Sequence, residues 1–173
     1  MSLRGKRIAI LAEDLYEELH LWYPLLRLRE EGADVAVVGT GTKDVYVGQH
    51  GYPVETEATA AGITADDLDA IVIPGGYAPD RMRRYPDLLN LVQQTCQAGK
   101  IIAAIGHGGW VLVSAGVLSK RKVTGISSIK DDLVNAGARY LDRTVVVDGN
   151  LITSRSLDDL PAFCQSIIAG LEN

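Results

Sequence analysis

Short apolar runs alternate with amphipathic stretches along most of the chain. Four of these runs are almost continuously aliphatic, and they lie at residues 7–12, 34–38, 70–73 and 100–105. Runs of this length and composition are typical of strands that are covered on both faces, as in a parallel sheet. We therefore expect these four segments to form the centre of the molecule.

The stretches between the apolar runs have the spacing of helices. Residues 16–31 carry apolar side chains every three or four positions before Gly32, and glycine commonly ends a helix. Residues 87–98 and 107–115 continue the alternation. Repeated β-α-β units with short connections predict an α/β fold, with a doubly wound, mostly parallel sheet and helices on both of its faces.

Two segments depart from this alternation. Residues 45–54 contain two glycines and predict a small hairpin. Residues 145–154 predict a strand, a tight turn and a second strand, because the Asp-Gly-Asn at their centre supplies the positive φ values of such a turn. Residues 158–171 then predict a closing helix. No linker or repeat interrupts the pattern, so we expect a single domain over residues 1–173.

Composition and charge argue against several classes of partner. Of the 173 residues, 47% are hydrophobic and 23% are charged, which is the balance of a globular protein. The net charge of −5 argues against a nucleic-acid partner, because phosphate binding needs clustered Lys and Arg. No stretch approaches the ~20 apolar residues of a membrane span, so we expect no membrane partner. Two cysteines, Cys96 and Cys164, without a secretory signal predict a cytoplasmic location.

Three loops follow predicted strands at their carboxyl ends, where ligands bind in open parallel sheets. They are residues 12–18, Pro74-Gly75-Gly76 and Gly106-His107-Gly108-Gly109. The last has the outline of a nucleophile elbow, a sharp strand-to-helix turn that directs one side chain into a pocket at the positive end of a helix. The glycines of the second loop can place backbone N–H groups opposite the elbow, as a cradle for an oxyanion.

Several further segments make the sequence similar to a known family. From about residue 6 to residue 171, the chain resembles the ThiJ/PfpI superfamily, and within it the PfpI-type intracellular proteases and amidase-like proteins. The resemblance implies the flavodoxin-like fold that this family shares with class I glutamine amidotransferases. The segments that carry it are Tyr23-Pro24, Gly48-Gln49-His50-Gly51-Tyr52, residues 74–80, residues 129–137 and residues 146–155.

The chain departs from the family pattern at the site itself. The resemblance implies Cys-His-Gly at the elbow, with cysteine as the nucleophile, and a glutamate four residues before a proline of the first helix. Here the elbow is Gly106-His107-Gly108, and His20 stands four residues before Pro24. The family also implies a homo-oligomer in which a carboxylate of a neighbouring subunit orients the histidine, and Asp80 fits that position.

Two functions from different classes follow from these departures. In the first, the protein is a stress-associated or small-ligand-binding homologue without the family's cysteine-dependent peptidase, glyoxalase or deglycase activity. In this interpretation Gly106 also relieves the backbone strain of the elbow. In the second, His20 and His107 hold a water molecule as general bases, Asp80 of a partner subunit orients His107, and the site hydrates or hydrolyses a small carbonyl compound. The sequence leaves open whether the protein is an enzyme.

The predicted site combines these residues. His107, His20 and Asp80 are the candidate catalytic residues, and Gly106 stands at the nucleophile position. A one-residue shift in helix register would let Glu17 or Glu18 supply the missing acid. A zinc site made of two histidines and Asp80 ranks below the metal-free interpretations, because no short ligand spacing supports it. We expect no metal and no cofactor, and a second copy of the chain and a small molecule as partners. The predicted ligand-binding residues are Gly75, Gly76, Gly108 and Glu17.

Overall fold

The computed structural model describes residues 1–172, which form eleven strands and six α-helices. The strands are β1 (Arg7–Ala12), β2 (Asp34–Gly39), β3 (Val45–Val47), β4 (Pro53–Glu55), β5 (Ala58–Thr59), β6 (Ala70–Ile73), β7 (Ile101–Ile105), β8 (Lys122–Val123), β9 (Arg139–Tyr140), β10 (Val145–Asp148) and β11 (Leu151–Ser154). The helices are α1 (Glu18–Glu30), α2 (Ala78–Met82), α3 (Pro86–Gln97), α4 (Gly109–Ala115), α5 (Lys130–Asn135) and α6 (Leu160–Glu172).

Seven of the strands form one central sheet in the order β10-β11-β7-β6-β1-β2-β5. All neighbouring pairs in this sheet are parallel except β10 and β11. The four aliphatic runs form its centre, and β6 is buried along its whole length. The chain adds β2 on one side of β1 and β6 on the other, so the strand order reverses beside β1, which is where ligands bind in doubly wound sheets.

Helices cover the sheet in two layers. Helix α1 packs against α6, and α3 packs against α4, with α2 and α5 also beside α4. Because right-handed crossovers that run in opposite directions along a sheet place their helices on opposite faces, α1 and α3 lie on different sides. The predicted flavodoxin-like α/β fold, with a mostly parallel sheet and helices on both faces, is confirmed.

The predicted boundaries need small corrections. The first helix begins at Glu18 rather than at residue 16, because Tyr16 forms an antiparallel bridge with Gly76 and Glu17 caps the helix. The strands β5, β8 and β9 and the helices α2 and α5 were not predicted, since two to six residues are too few to show a periodicity. Within the described residues, no helix is long and apolar enough to cross a membrane.

Helix α6 anchors one helical layer to the sheet. Its Phe163 side chain is fully buried, and the helix packs on α1 and on the strands β7, β10 and β11. Replacing Phe163 with Ala leaves a cavity, so we expect the free energy of unfolding to fall by about 3–5 kcal/mol. Urea unfolding followed by Trp fluorescence measures this change.

The matched control for this substitution is Val147→Ala on the edge strand β10. The Val147 side chain is 58% exposed, so its truncation should change stability by less than about 0.5 kcal/mol. Equal losses in the two variants would contradict the packing described for α6.

Candidate active site

The turn between β7 and α4 forms the predicted elbow. Gly106 follows the last residue of β7 with φ +61°, a conformation that glycine adopts at little cost, and one turn of 3-10 helix then leads into α4. A Cβ atom placed on Gly106 would lie 3.0 Å from Cε1 of His20, which is closer than ordinary van der Waals contact. The apex of the elbow therefore carries no side chain, and the His20 ring fills the space beside it.

Two hydrogen bonds hold His20 in place, one at its backbone N–H and one at its ring. Its backbone N–H donates to Oε2 of Glu17 at 2.9 Å, and Glu17 is the N-cap of α1. Its ring nitrogen Nδ1 accepts the backbone N–H of Gly75 at 3.2 Å. A ring nitrogen that accepts a hydrogen bond carries no proton, so the neutral ring has its proton on Nε2.

The Nε2 atom of His20 is buried and has no hydrogen-bond partner within the described part of the chain. The carboxylate oxygen Oε2 of Glu17 lies 3.9 Å from it, which is too far for a hydrogen bond. Burial, with a smaller contribution from His107, lowers the pKa of His20 from 6.5 to about 4. At neutral pH, His20 is therefore an uncharged ring with one buried, unsatisfied N–H.

His107 follows Gly106 and lies half-buried at the start of the elbow helix. Its Nε2 lies 3.3 Å from Oγ of Ser128, and its ring is tilted against Trp110 with the ring centroids 5.0 Å apart. Burial lowers the pKa of His107 below its ordinary value of 6.5. Both imidazoles at the elbow are thus mainly neutral at neutral pH.

The two histidines line one pocket of about 320 Å³ at the carboxyl ends of the central strands. Its walls come from the loops after β1, β6, β7 and β11, together with the β3–β4 hairpin. Of the predicted site residues, four line the pocket beside Gly106: Glu17, His20, Gly76 and His107.

The other predicted site residues lie outside the pocket lining. The N–H of Gly75 is engaged by His20, so the expected oxyanion cradle has lost that donor. Gly108 is buried, and a Cβ there would lie 2.7 Å from the carbonyl oxygen of Ile73, so its position serves close packing. Asp80 pairs with Arg84 at 2.5 Å. A role of Asp80 in the site of a neighbouring subunit stays a prediction.

Some lining residues were not predicted from the sequence. Gln49 reaches the pocket because the β3–β4 hairpin folds back over it, with the Gln49 N–H bound to the carbonyl of Tyr16 at 2.9 Å. Tyr77, Ser156 and Leu157 follow glycine or strand ends and lack any chemical signature of their own. Tyr77 adjoins the Pro74-Gly75-Gly76 loop, so its position in the chain was a signal that could have found it, whereas Ser156 and Leu157 follow β11, outside the three loops.

The zinc alternative takes Asp80 from a partner subunit, so it stays a prediction. In this chain, the proton on Nε2 of His20 occupies the lone-pair position that a metal would need, and Asp80 lies outside the pocket. Within residues 1–172, one cluster has metal-ligand atoms within 4.8 Å of one another, and it consists of Glu17, Glu18 and His50. In that cluster, Nδ1 of His50 lies 2.8 Å from Oε2 of Glu18.

The sheet order, the helical layers and the pocket at the strand-order reversal define a flavodoxin-like α/β protein with an elbow-type site. The sequence model of the DJ-1/PfpI family matches residues 6–170, and the chain belongs to this family. The chain is 40% identical to "Deglycase PfpI" of Pyrococcus furiosus over 162 residues, which cover 94% of this chain and 97% of that protein.

Solved structures give the same result. The chain aligns with a TM-score of 0.94 and 40% identity to a two-domain protein from Anabaena variabilis that contains DJ-1/ThiJ/PfpI-like and ferritin-like domains. That match covers 96% of this chain and 48% of the other, so this chain corresponds to about half of the two-domain protein. Drosophila melanogaster DJ-1beta aligns with a TM-score of 0.90 and 30% identity, covering 96% of this chain and 90% of that one.

The lowered pKa of His20 makes stability depend on pH. The folded protein keeps His20 neutral down to about pH 4, whereas the unfolded chain binds this proton near pH 6.5. Between these values the unfolded state binds more protons, so stability falls as the pH falls through this window, and the share of His20 approaches about 3 kcal/mol. Urea unfolding of the native protein and of His20→Gln between pH 7.5 and 4 measures that contribution. It is the difference between the two proteins in how steeply the free energy of unfolding changes with pH.

The control for this measurement is His50→Gln. Hydrogen bonding to Glu18 raises the pKa of His50, so that side chain stabilises the fold on the acidic side and the effect is lost as the pH rises. Its removal should steepen the loss of stability in acid, whereas His20→Gln should make the loss shallower. Parallel pH profiles for the native protein and His20→Gln would show that the ring is not held neutral.

Proposed function

We propose that this protein binds a small molecule at the elbow pocket without forming a covalent bond to it, in place of cysteine-dependent chemistry. The observation that carries the proposal is the pairing of Gly106 with His20. Glycine supplies no nucleophile, and the imidazole ring packed beside it would have to shift by a few tenths of an ångström to admit a side chain at the apex. The resemblance to the family implies that cysteine ordinarily stands at this position.

The two cysteines of the chain offer no replacement for that nucleophile. Cys164 is buried on α6, and burial raises its thiol pKa to about 12. Cys96 lies at the end of α3, where its backbone carbonyl accepts the side-chain amide of Asn150. Neither residue lines the pocket, so a thiolate is not available to a bound ligand.

The alternative function, hydration or hydrolysis of a carbonyl compound by general-base catalysis, fits the geometry less well. A general base must carry a free lone pair and a pKa near the working pH. The Nδ1 lone pair of His20 is engaged by Gly75, its Nε2 carries the proton, and its pKa is about 4. His20 is therefore suited to donate a hydrogen bond to a ligand rather than to accept a proton from water.

We also propose that the protein assembles with further copies of itself. Helix α1 and the residues just before it expose apolar side chains on one side, and those of Leu19 and Leu26 are 52% and 59% exposed. Leu15 and Tyr23 extend this strip. Asp80 does not line the pocket of its own chain, which is compatible with a role in the site of a neighbour. A cytoplasmic location stays a prediction.

Incubation with methylglyoxal tests the proposed loss of catalysis. We expect the native protein to consume no methylglyoxal beyond the rate in buffer. In a Gly106→Cys and His20→Glu double variant, the glutamate is expected to leave more room for the new thiol, so iodoacetamide should label position 106 faster than Cys96. Peptide mapping by mass spectrometry measures the labelling, and absorbance measures the consumption.

Two single variants complete this experiment. Gly106→Cys alone should fold less stably by roughly 1–3 kcal/mol, because a side chain at φ +61° is strained and meets the His20 ring. Methylglyoxal consumption by the native protein that disappears in both His20→Ala and His107→Ala would overturn the proposal and establish the general-base alternative.

A further inference from the structure

We infer that the pocket selects an uncharged ligand that presents a hydrogen-bond acceptor beside a donor, as a primary carboxamide does, and discriminates against the corresponding carboxylate. This inference rests on the proposed function and names the ligand class of the same site. Four features of the pocket support this inference. They are an unpaired N–H donor on His20, the carboxylate of Glu17 beside it, a guanidinium on Arg155 that is already paired with carboxylates, and a backbone N–H of Gly75 that is already donated.

The unpaired donor is the Nε2–H of His20. The residue is 6% exposed, and this atom has no partner within the described residues. A buried donor without a partner is costly, so a ligand that brings an acceptor to it is favoured. A carbonyl oxygen is such an acceptor.

The neighbouring acceptor is the carboxylate of Glu17, which also lines the pocket. Its Oε2 accepts the backbone N–H of His20 and lies 3.9 Å from Nε2 of the same residue. Within residues 1–172, the His20 ring is the only basic group within 4.0 Å of the Glu17 carboxylate, and this ring is neutral. His50 lies within 4.8 Å of Glu17 but is paired with Glu18. A ligand that places an N–H or O–H toward Glu17 while its carbonyl faces His20 satisfies both groups.

Arg155 is the one arginine or lysine of the pocket lining among the residues described, and four of its five guanidinium N–H groups donate hydrogen bonds within the protein. Its Nε and Nη2 donate to the two carboxylate oxygens of Asp159 at 2.9 and 3.1 Å. Its Nη1 donates to Asp142 at 2.9 Å. Two carboxylates on one guanidinium outnumber its single positive charge, so the attraction of Arg155 for an anionic ligand is weakened.

The remaining described side chains at the pocket add no unpaired positive charge, and the start of the elbow helix supplies only a partial one. The Gly75 N–H, an expected oxyanion donor, is donated to His20. Glu18 is paired with His50 at 2.8 Å, which leaves that pair without excess positive charge. A ligand carboxylate would therefore face Glu17 without a counter-charge, and like charges held together weaken binding.

Ligand-observed NMR titration with lactamide and lactate at pH 7.5 tests the inference, because the two probes differ in the amide and carboxylate groups. We expect lactamide to bind the native protein and lactate to bind at least about tenfold more weakly. Tighter binding of 1-amino-2-propanol, which carries an ammonium group, would overturn the preference for an uncharged ligand.

Two variants locate the discrimination. Glu17→Gln removes the negative charge but keeps an acceptor for the His20 N–H, so the preference for lactamide should fall at least about fivefold. Asp142→Asn, at a side chain that is 76% exposed, partly releases Arg155 and should strengthen lactate binding. The matched control is Asp66→Asn, an exposed residue before β6 at the opposite end of the strands, which should change neither affinity.

The outcomes separate this inference from the proposed function. Equal or tighter binding of lactate to the native protein overturns the inference and leaves noncovalent binding intact. Binding of neither probe at millimolar concentration overturns the inference as well. Histidine-dependent turnover of methylglyoxal overturns the proposed function instead, whether lactamide or lactate binds more tightly.

Discussion

The hydrogen bond from the Gly75 N–H to Nδ1 of His20 determines most of the chemistry of the elbow pocket. It joins the loop after β6 to the first turn of α1, and it fixes which ring nitrogen carries the proton. Burial, with a smaller contribution from His107, keeps the ring neutral, and the remaining N–H has no protein acceptor within hydrogen-bond distance among the described residues. A single backbone donor thus converts a residue type known for proton transfer into a fixed hydrogen-bond donor.

The same ring couples two glycines that are far apart in sequence. A Cβ on Gly75 would lie 2.7 Å from Nδ1 of His20, and a Cβ on Gly106 would lie 3.0 Å from Cε1. The imidazole therefore occupies the room that side chains at both positions would need. Gly106 also has a positive φ, so any other residue there would meet both strain and crowding. A substitution at Gly75, Gly106 or His20 therefore changes which side chains fit at the other two positions.

The fold was more predictable from the sequence than the site. Aliphatic runs such as Ala70–Ile73 could be identified as strands from the sequence, because a strand that is buried on both faces needs apolar side chains at every position. The elbow was also predictable, since a glycine-rich turn between a strand and a helix has a local signature. The partners of His20 and Arg155 were not, because the hydrogen bond from Gly75 to His20 and the one from Arg155 to Asp142 depend on where separate loops meet. Nothing in the local sequence around Gly75 indicates that its N–H is used.

The elbow pocket contains an unpaired polar group, the Nε2–H of His20. A buried N–H without a partner costs about 1–3 kcal/mol, and an apolar side chain at position 20 would move that cost to the buried Gly75 N–H, which His20 now accepts. The chain thus holds His20 in a defined orientation beside the Glu17 carboxylate, and both residues line the pocket. A polar group that the protein positions but does not satisfy is a feature of binding sites, and the Nε2–H of His20 is such a group.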